Sequence, residues 1–323
     1  MNLKNLNKIL EKEPDFRKKQ IEKLIYQKAI EDWNNATELP LNLRKELSKK
    51  TSLKIKAKLV KSKDAEKALI RLNDNYQTET VLMKHNKGNT VCVSSQVGCA
   101  LGCKFCATAK IGLKRNLETE EILEQVLLFK RNYKIRNVVF MGMGEPFLNY
   151  ENVLSVIKII NSKNAFNIGA RRISISTAGI VEGIEKLSNE KLKINLAISL
   201  HAGNNKLRER LMPISKKYPL ELVLKTVNTY IKKTKRKVMF EYALMKNVND
   251  SLKDAKELSK IMNHPLYMVN LIKYNDTKEF KAPSKERIKE FKDFLKNQGI
   301  NTTERYRFGR DIWAGCGQLC LKK

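Results

Sequence analysis

Hydrophobic positions along the chain change their spacing, and each spacing predicts a different kind of structure. Between residues 14 and 50 apolar side chains recur at helical intervals around a Leu-Pro break, which predicts two or three short helices. From about Leu53 to Ser95 the pattern alternates or is rich in β-branched residues, which predicts strands separated by polar turns. The predicted strands are Ile55–Leu59, Ala68–Leu72, Thr78–Met83 and Thr90–Ser94.

The rest of the chain alternates strand-like and helix-like stretches. The strand-like stretches are Asn137–Met141, Arg172–Ser176, Lys193–Leu200, Lys237–Leu244, Leu266–Ile272 and Asn301–Arg307. The helix-like stretches between them are Glu120–Lys130, Glu151–Asn161, Val181–Leu187, Leu220–Lys232, Leu252–Met262 and Lys285–Asn297. Because a helix follows each strand, the strands should run parallel, which predicts an α/β sheet or barrel. In a barrel, the chemistry belongs at the carboxyl ends of the strands.

These changes of pattern divide the chain into three expected segments. Residues 1–52 form a small basic helical domain, residues 53–95 a β-rich extension, and residues 96–323 the main α/β core. The first segment has hydrophobic residues at helical spacing, and the third alternates strand-like and helix-like stretches. The second segment connects them.

Composition and charge narrow the class of protein. A chain with 42% hydrophobic residues can bury a core, which excludes wholesale disorder. No stretch approaches the ~18 consecutive apolar residues of a membrane span, and residues 1–5 lack the apolar run of a signal peptide. A cytoplasmic location without membrane contact is therefore expected. The net charge of +30 fits either a lysine-rich surface or a polyanionic partner such as nucleic acid, and charge alone does not separate the two.

The six cysteines say more about the chemistry of the protein than its net charge does. They are Cys92, Cys99, Cys103, Cys106, Cys316 and Cys320. In a reducing compartment a cluster of four cysteines within fifteen residues indicates metal ligation or thiol chemistry rather than a disulfide framework. Cys320 receives little weight, because a lone thiol near a terminus is usually incidental.

The spacing Cys-x3-Cys-x2-Cys over Cys99, Cys103 and Cys106 carries the strongest chemical signal. Three thiolates on one glycine-containing loop can bind three irons of a [4Fe–4S] cluster and leave the fourth iron open for a small chelating ligand. The alternative is a zinc site with a fourth ligand from elsewhere, for which Cys316 or His201 can be proposed.

With its flanking residues, this motif resembles the radical S-adenosylmethionine (SAM) adenine methyltransferases, a family with a C2-methylating RlmN type and a C8-methylating Cfr type. The matching segments are residues 92–99, 141–146, 199–201 and 315–319, in the family's order, and the resemblance covers essentially the whole chain. It implies a partial (βα)6-type barrel core with a [4Fe–4S] cluster and SAM as cofactors. It also implies that the basic helices of residues 1–52 contact RNA.

The resemblance assigns the cofactor-binding residues. Cys99, Cys103 and Cys106 would bind the cluster, and the residues expected to contact SAM are Gly144, Glu145, Ser176, Ser199, Leu200, His201 and Asn275. Most of these follow predicted strands, where a carboxylate such as Glu145 can accept from the SAM ammonium group. The alternative readings are a simple βα turn at Gly144, a structural histidine at His201 and an Asx turn at Asn275.

The resemblance also assigns the catalytic residues. Cys316 is methylated by one SAM, and reductive cleavage of a second SAM yields a radical that removes a hydrogen atom from the S-methyl group. The methylene radical then adds to the adenine ring. Cys92 attacks Cys316 to release the product through a transient disulfide, and Glu79 matches the family position proposed as proton acceptor. The alternative interpretation, if the resemblance is left aside, is that Cys92 and Cys316 are inert buried thiols and that Glu79 lies on a solvated face of its strand.

The flanks of the motifs favour the C2-methylating type. Pro146 after Glu145 and Ala202 after His201 are typical of that type, which acts on an adenosine of the 23S rRNA peptidyl-transferase centre and in many cases on the adenosine 3′ of a tRNA anticodon. The alternatives are a C8 enzyme that confers ribosome-antibiotic resistance and, more remotely, a non-catalytic metal-containing RNA-binding protein. Trp313 and Gly315 depart from the family's usual residues beside Cys316. An electron donor of flavodoxin or ferredoxin type and a monomeric chain are expected.

Overall fold

Three helices open the computed structural model, which describes residues 3–321 and their side chains from residue 5 onward. The helices are α1 (Leu3–Leu10), α2 (Asp15–Glu22) and α3 (Leu41–Lys50). The first of them begins before the predicted helical stretch. Residues 1–2 and 322–323, at the outer ends of the predicted segments 1–52 and 96–323, lie outside the described residues.

The N-terminal helices are attached to the rest of the protein by a shared apolar core. Ile21, Leu24 and Leu47 are buried and belong to the same hydrophobic cluster as the barrel helices. Trp33, between α2 and α3, is also buried, and its indole N–H donates to the backbone oxygen of Thr51 at 2.6 Å. The basic helices are therefore packed onto the core rather than tethered to it.

Four strands follow as an antiparallel meander. They are β1 (Ala57–Lys61), β2 (Ala65–Arg71), β3 (Gln77–Met83) and β4 (Asn89–Val93). A short antiparallel pair, β5 (Gln96–Val97) and β6 (Arg115–Asn116), then brackets the cysteine-rich loop. Strand β4 pairs in parallel with β7 (Ile135–Phe140), so one sheet continues across the predicted boundary between residues 95 and 96. That boundary stays a prediction.

The remaining strands form a parallel array with helical crossovers. They are β8 (Ile173–Thr177), β9 (Asn195–Ser199), β10 (Val238–Leu244), β11 (Tyr267–Lys273) and β12 (Thr302–Glu304). The crossover helices are α4 (Thr119–Lys130), α5 (Tyr150–Asn161), α6 (Val181–Asn189), α7 (Asn205–Leu211), α8 (Leu220–Thr234), α9 (Leu252–Ile261) and α10 (Lys285–Asn297). The sheet runs β1-β2-β3-β4-β7-β8-β9-β10-β11-β12 in the described part of the chain, with β1 and β12 at its ends.

This order confirms the predicted partial barrel. Each strand from β8 to β12 pairs in parallel with the strand before it, and a helix lies between each two of them, as the alternation predicted. Two details differ: the last strand is shorter than the predicted Asn301–Arg307, and α7 was not predicted. No helix among residues 3–321 is long and apolar enough to cross a bilayer.

Two smaller apolar clusters position the site. One lies at the carboxyl ends of the strands and includes Leu101, Met212 and Tyr274, against which Cys99 and Cys103 pack. The other includes Val81, Met143 and Leu319, and it joins the meander to residues 309–321, here called the C-terminal segment. The cysteine-rich loop and the C-terminal segment thus have separate apolar supports beside the main core.

The helix residue Gly183 gives a test of how tightly this core is packed. A Cβ atom at Gly183 would lie 2.4 Å from Cγ of Phe147, although the position is helical. Gly183→Ala should lower the free energy of unfolding by about 1–3 kcal/mol through overpacking, despite the ~1 kcal/mol that alanine gains in helix propensity. Chemical denaturation measures the change. Glu185→Ala, at an exposed position of the same helix, is the control and should stay within about 0.5 kcal/mol. Unchanged or increased stability of Gly183→Ala would contradict the packing.

Candidate active site

The cysteine-rich loop is held in place by its backbone. Gly98 has φ +78°, and a Cβ atom there would lie 1.7 Å from the backbone oxygen of Gly112, so only glycine fits. The Lys104 N–H donates to Leu211 O at 2.9 Å at the end of α7, and the Cys106 N–H donates to Cys103 O at 3.2 Å. The loop is therefore fixed both internally and against the barrel.

Cys99, Cys103 and Cys106 line one open cavity at the carboxyl ends of the parallel strands. Burial raises the pKa of Cys99 to about 12 and raises that of Cys103 well above its ordinary value. Thiolates in such apolar surroundings need a nearby positive charge, which bound metal supplies. In the described residues no three His, Cys, Asp or Glu side chains converge on a point that would hold one metal ion. Three soft donors around one cavity fit an iron–sulfur cluster.

Most residues predicted to contact SAM line the same cavity. They are Gly144, Glu145, Ser176, Ser199, His201 and Asn275. Leu200 is the exception, because its side chain is buried in the main core and its N–H donates to Glu241 O at 3.0 Å. Leu200 thus lines neither this cavity nor its neighbour, and its contact with SAM stays a prediction.

Glu145 is a buried carboxyl group held by backbone amides. Its Oε1 accepts from Phe147 N at 3.0 Å and its Oε2 from Ala178 N at 2.7 Å. Burial raises the pKa of Glu145 to about 7, and these amides oppose that rise. The Thr177 side chain also bonds to this carboxyl group. Because a carboxylate has about four acceptor positions, about one remains for a donor in the cavity.

His201 adopts a left-handed conformation, with φ +58°, directly after β9. Its Nδ1 accepts from Ala243 N at 3.0 Å, and its ring lies edge-on to Phe105 with centroids 4.6 Å apart. Burial lowers the pKa of His201 to about 3, so the ring is neutral at physiological pH. With Nδ1 accepting, the proton resides on Nε2, which is available as a donor.

Cys316 and Cys92 line a second cavity, which adjoins the first. Both cavities share Cys106, Asn275, Arg305 and Cys316. Cys316 is an exposed residue, although protein atoms surround its thiol closely enough to desolvate it; Cys92 on β4 is partly buried, and both thiols are free. The two cavities therefore meet at Cys316.

Asn275 holds the backbone at Cys316. Its Nδ2 donates to Cys316 O at 3.1 Å, and its Oδ1 accepts from Arg307 Nε at 2.8 Å. A Cβ atom at position 315 would lie 2.7 Å from the Asn275 amide, so Gly315 permits this contact. Gly315, one of the two residues that depart from the family's usual pattern, therefore lets Asn275 approach.

Arg305 is a site residue that sequence reasoning missed. It follows β12, lines both cavities, and its guanidinium lies 3.1 Å from Met141 Sδ and 3.6 Å from Glu241 Oε1. Glu241 also accepts from Asn270 Nδ2 at 2.9 Å. A carboxylate within the otherwise apolar strand β10 was the signal that could have revealed this group.

The Arg305 charge acts on both thiols. Burial raises the pKa of Cys92 to about 12 and that of Cys316 to about 11, and the positive charge of Arg305 opposes both shifts. For Arg305, burial lowers the pKa, but Glu241 and the two thiols raise it above the ordinary value. Arg305 is thus a fixed cation beside the cysteine pair.

Glu79 does not occupy the solvated position that its alternating pattern indicated. Its side chain is fully buried, because the C-terminal segment covers that face of β3. Its Oε1 lies 3.0 Å from Lys67 Nζ, and its Oε2 accepts from the backbone amides of Cys320 and Leu321. Among the described residues, Glu79 lines neither of the two cavities. Its predicted role as proton acceptor stays a prediction.

Comparisons with known proteins bear on this arrangement. Residues 93–258 match the family model described as the radical SAM superfamily. A protein of Dictyoglomus turgidum named "Probable dual-specificity RNA methyltransferase RlmN" is 46% identical over 316 residues, which covers 95% of this chain and 91% of that protein. A protein of the same name from Alkaliphilus oremlandii is 44% identical over 332 residues, with 100% and 96% covered.

A solved structure is similar over nearly the whole chain. It is a radical SAM methyltransferase from Sphaerobacter thermophilus, with a TM-score of 0.93 and 39% identity over 99% of this chain and 97% of that one. Proteins of the radical SAM superfamily use a [4Fe–4S] cluster and SAM, which sets aside the zinc alternative. The three-cysteine loop, the carboxyl-end cavity and the near full-length similarity agree, and this chain belongs to the RlmN family of the radical SAM superfamily.

Proposed function

We propose that the chain methylates C2 of an adenosine in RNA and that Cys316 carries the methyl group. The observation that supports this most directly is the meeting of the two cavities at Cys316, since the same side chain faces the three-cysteine cavity and Cys92. The RlmN name of the relatives favours C2 over the Cfr-type C8 alternative. The proposed substrates are the 23S rRNA adenosine of the peptidyl-transferase centre and the adenosine 3′ of a tRNA anticodon.

Cys316 acts first as a nucleophile. Its thiolate takes the methyl group of SAM, so that a new S–CH3 bond forms while the bond from the same carbon to the sulfonium breaks. Burial raises the pKa of Cys316 and Arg305 opposes that shift, so Arg305 favours the reactive thiolate. Asn275 orients the group through the Cys316 carbonyl.

The loop cysteines and the strand ends are proposed to hold the cofactors. Cys99, Cys103 and Cys106 bind the cluster, which when bound supplies the electron that cleaves SAM and so activates the S-methyl group. Glu145 accepts from the SAM ammonium group with its remaining acceptor position. Gly144 lines the same cavity, and its lack of a side chain admits the close contact with Gln96. Ser176, Ser199 and His201, which also line this cavity, are proposed to bind the remainder of SAM.

Cys92 releases the product. Its thiolate attacks the Cys316 sulfur, so that an S–S bond forms and the bond from that sulfur to the RNA-bound carbon breaks, with the electron pair moving to the carbon. The cavity that Cys92 and Cys316 both line supports this role. An electron donor of flavodoxin or ferredoxin type, a monomeric state and a cytoplasmic location stay predictions.

A basic groove with an exposed aromatic residue leads to the Cys316 cavity. Tyr306 and Arg307 line both the cavity and the groove, together with lysines of α10 and its surroundings. The lysines are Lys273, Lys285, Lys289, Lys292 and Lys296. Tyr306 is 63% exposed and is braced by Phe308 at 4.6 Å between ring centroids. Phosphates and an unstacked base are the RNA groups that such a surface binds.

Four other basic runs do not line this groove; they are Arg17-Lys18-Lys19, Arg44-Lys45, Lys49-Lys50 and Lys232-Lys233. Lys18 of α2 pairs with Asp15 at 3.1 Å, and Lys50 of α3 pairs with Glu46 at 2.6 Å. Such exposed pairs are weak and leave the runs available for phosphate contacts. Arg44-Lys45 lies on α3 and Lys232-Lys233 at the end of α8. These runs remain proposed as outer RNA contacts.

Mass spectrometry of RNA nucleosides tests the reaction itself. RNA treated with the reconstituted enzyme, SAM and a reductant should contain 2-methyladenosine, because the proposed target is the C2 carbon. Synthetic 23S rRNA and tRNA fragments with the target adenosine replaced by guanosine are the controls. Formation of 8-methyladenosine instead would assign the chain to the C8 alternative, and methylation of neither carbon would refute the proposal.

Removal of the Cys92 thiol tests product release. Cys92→Ala should accumulate a covalent protein–RNA adduct through Cys316, because Cys106, the other thiol that lines the same cavity, is proposed to be bound to the cluster. Denaturing gel electrophoresis with labelled RNA measures the adduct. Cys320→Ala removes a thiol from the same segment as Cys316 and should turn over normally. Normal turnover by Cys92→Ala would contradict its role.

Removal of the Tyr306 ring tests the groove. Tyr306→Ala should weaken RNA binding roughly 5- to 100-fold, because stacking on one base contributes about 1–3 kcal/mol. Tyr76→Ala is the matched control, because it removes a 43% exposed tyrosine that lies between β2 and β3 and does not line the groove. Affinities are measured over a series of salt concentrations, and wild-type affinity should fall steeply with salt. Equal affinities for Tyr306→Ala and the wild type would exclude the groove.

A further inference from the structure

A buried ion pair lies beneath the C-terminal segment. Lys67 Nζ of β2 and Glu79 Oε1 of β3 are 3.0 Å apart, with side chains 8% and 0% exposed. In the antiparallel register Lys67 pairs with Val81, which makes Glu79 its diagonal neighbour on the same face of the sheet. That face also carries the apolar contacts to Leu319.

Each member of the pair contacts one flank of the Cys316 loop. Lys67 Nζ lies 3.5 Å from the backbone oxygen of Trp313, ahead of Cys316. Glu79 Oε2 accepts from Cys320 N at 2.7 Å and from Leu321 N at 3.1 Å, beyond Cys316. One ion pair therefore holds both ends of the loop that presents the thiol.

The contacted positions are those where the segment is strained. Trp313 has φ +53° and Leu321 has φ +60°, and they are the non-glycine residues with positive φ among residues 309–321. Bulky residues adopt this left-handed conformation only where the surroundings impose it. Lys67 contacts the Trp313 carbonyl and Glu79 contacts the Leu321 amide. These contacts therefore restrain the backbone at the two residues in the left-handed conformation.

We propose that Lys67 and Glu79 are positioning residues that clamp the Cys316 loop over the shared cavity. This inference rests on the proposed role of Cys316 as methyl carrier. It gives Glu79 a different task from that of proton acceptor: one oxygen is paired with Lys67, and the other accepts two backbone amides. A group so occupied is placed to hold the loop.

The other ion pair of the same hairpin provides a matched control. Glu66 of β2 lies 2.9 Å from Lys84 Nζ and is also buried, and its further partner is Tyr133. None of these contacts is with residues 309–321. Glu66→Gln therefore removes a comparable buried charge without touching the Cys316 loop.

Hydrogen exchange of the full-length protein without added cofactors tests the clamp directly. The reporters are the amides of Ala314 and Gln318, which bond within the segment and do not contact the ion pair. Both Lys67→Met and Glu79→Gln should speed their exchange by roughly tenfold or more relative to the wild type, through easier local opening. Glu66→Gln should leave these amides unchanged. Wild-type exchange in both clamp variants would overturn the proposal.

Methylation of Cys316 separates a positioning role from a proton-accepting role. In the reconstituted enzyme without RNA, both clamp variants should gain the methyl group on the Cys316 peptide roughly ten- to a hundredfold more slowly, since small misplacement of a reacting group has that effect. Lys67→Arg should restore most of the rate. If Glu79→Gln methylates Cys316 normally and fails only after RNA is added, Glu79 is the proton acceptor and the clamp is wrong.

Two further arms keep the outcome interpretable. Glu79→Asp is the variant to use if the uncharged variants do not fold. It retains the buried charge, so the protein should fold, but its shorter side chain withdraws the carboxylate from the Cys320 and Leu321 amides and should still loosen the segment. Melting temperatures identify any variant that is globally unfolded. If the wild type itself never methylates Cys316, the proposed function fails, while hydrogen exchange still decides the clamp.

Discussion

The site depends on the attachment of the C-terminal segment to the turn that follows the cluster loop. The Ala107 N–H donates to Gly317 O at 2.8 Å, and the Thr108 hydroxyl donates to Leu319 O at 2.6 Å. Backbone groups of an irregular buried segment must find such partners, because leaving them unpaired costs free energy. These bonds bring Cys316 beside Cys106, although more than two hundred residues separate them. Without this attachment the three-cysteine loop would face an open barrel end, and Cys92 would have no partner.

The same region resolves a conflict between apolar burial and charged chemistry. Apolar packing around the thiols raises their pKa values, which disfavours the thiolates that metal binding and methyl transfer require. A cluster bound by Cys99 and its loop neighbours would supply positive charge for them, and Arg305 supplies it for Cys92 and Cys316. Glu241 in turn compensates Arg305. The barrel end therefore holds alternating charges supplied by separate parts of the chain, with Cys92 on β4, Glu241 on β10, Arg305 after β12 and Cys316 in the C-terminal segment.

Sequence reasoning identified most of the fold and the chemistry of the site, and its errors have physical causes. Periodicity located the strands and crossover helices, because each buries one face on the main core. It misplaced Glu79, because alternation tells which residues share a face but not what covers that face. The short helix α7 went unpredicted because seven residues offer too little periodicity. Asn275 was expected to contact SAM. In the structure its side-chain amide donates to the Cys316 carbonyl, a contact that Gly315 makes possible.

The sequence by itself determined the α/β barrel class, the three-cysteine loop and the family. These properties are local: strand and helix periods follow from side-chain burial, and the ligand spacing follows from neighbouring residues on one loop. Only the tertiary structure decided that Arg305 lies beside both thiols, that Leu200 turns its side chain away from the cavity, and that Lys67 and Glu79 hold the Cys316 loop. Each of these contacts joins residues far apart in the chain. Their proximity depends on how the C-terminal segment packs against the meander, and that packing is a property of the assembled fold rather than of any local pattern.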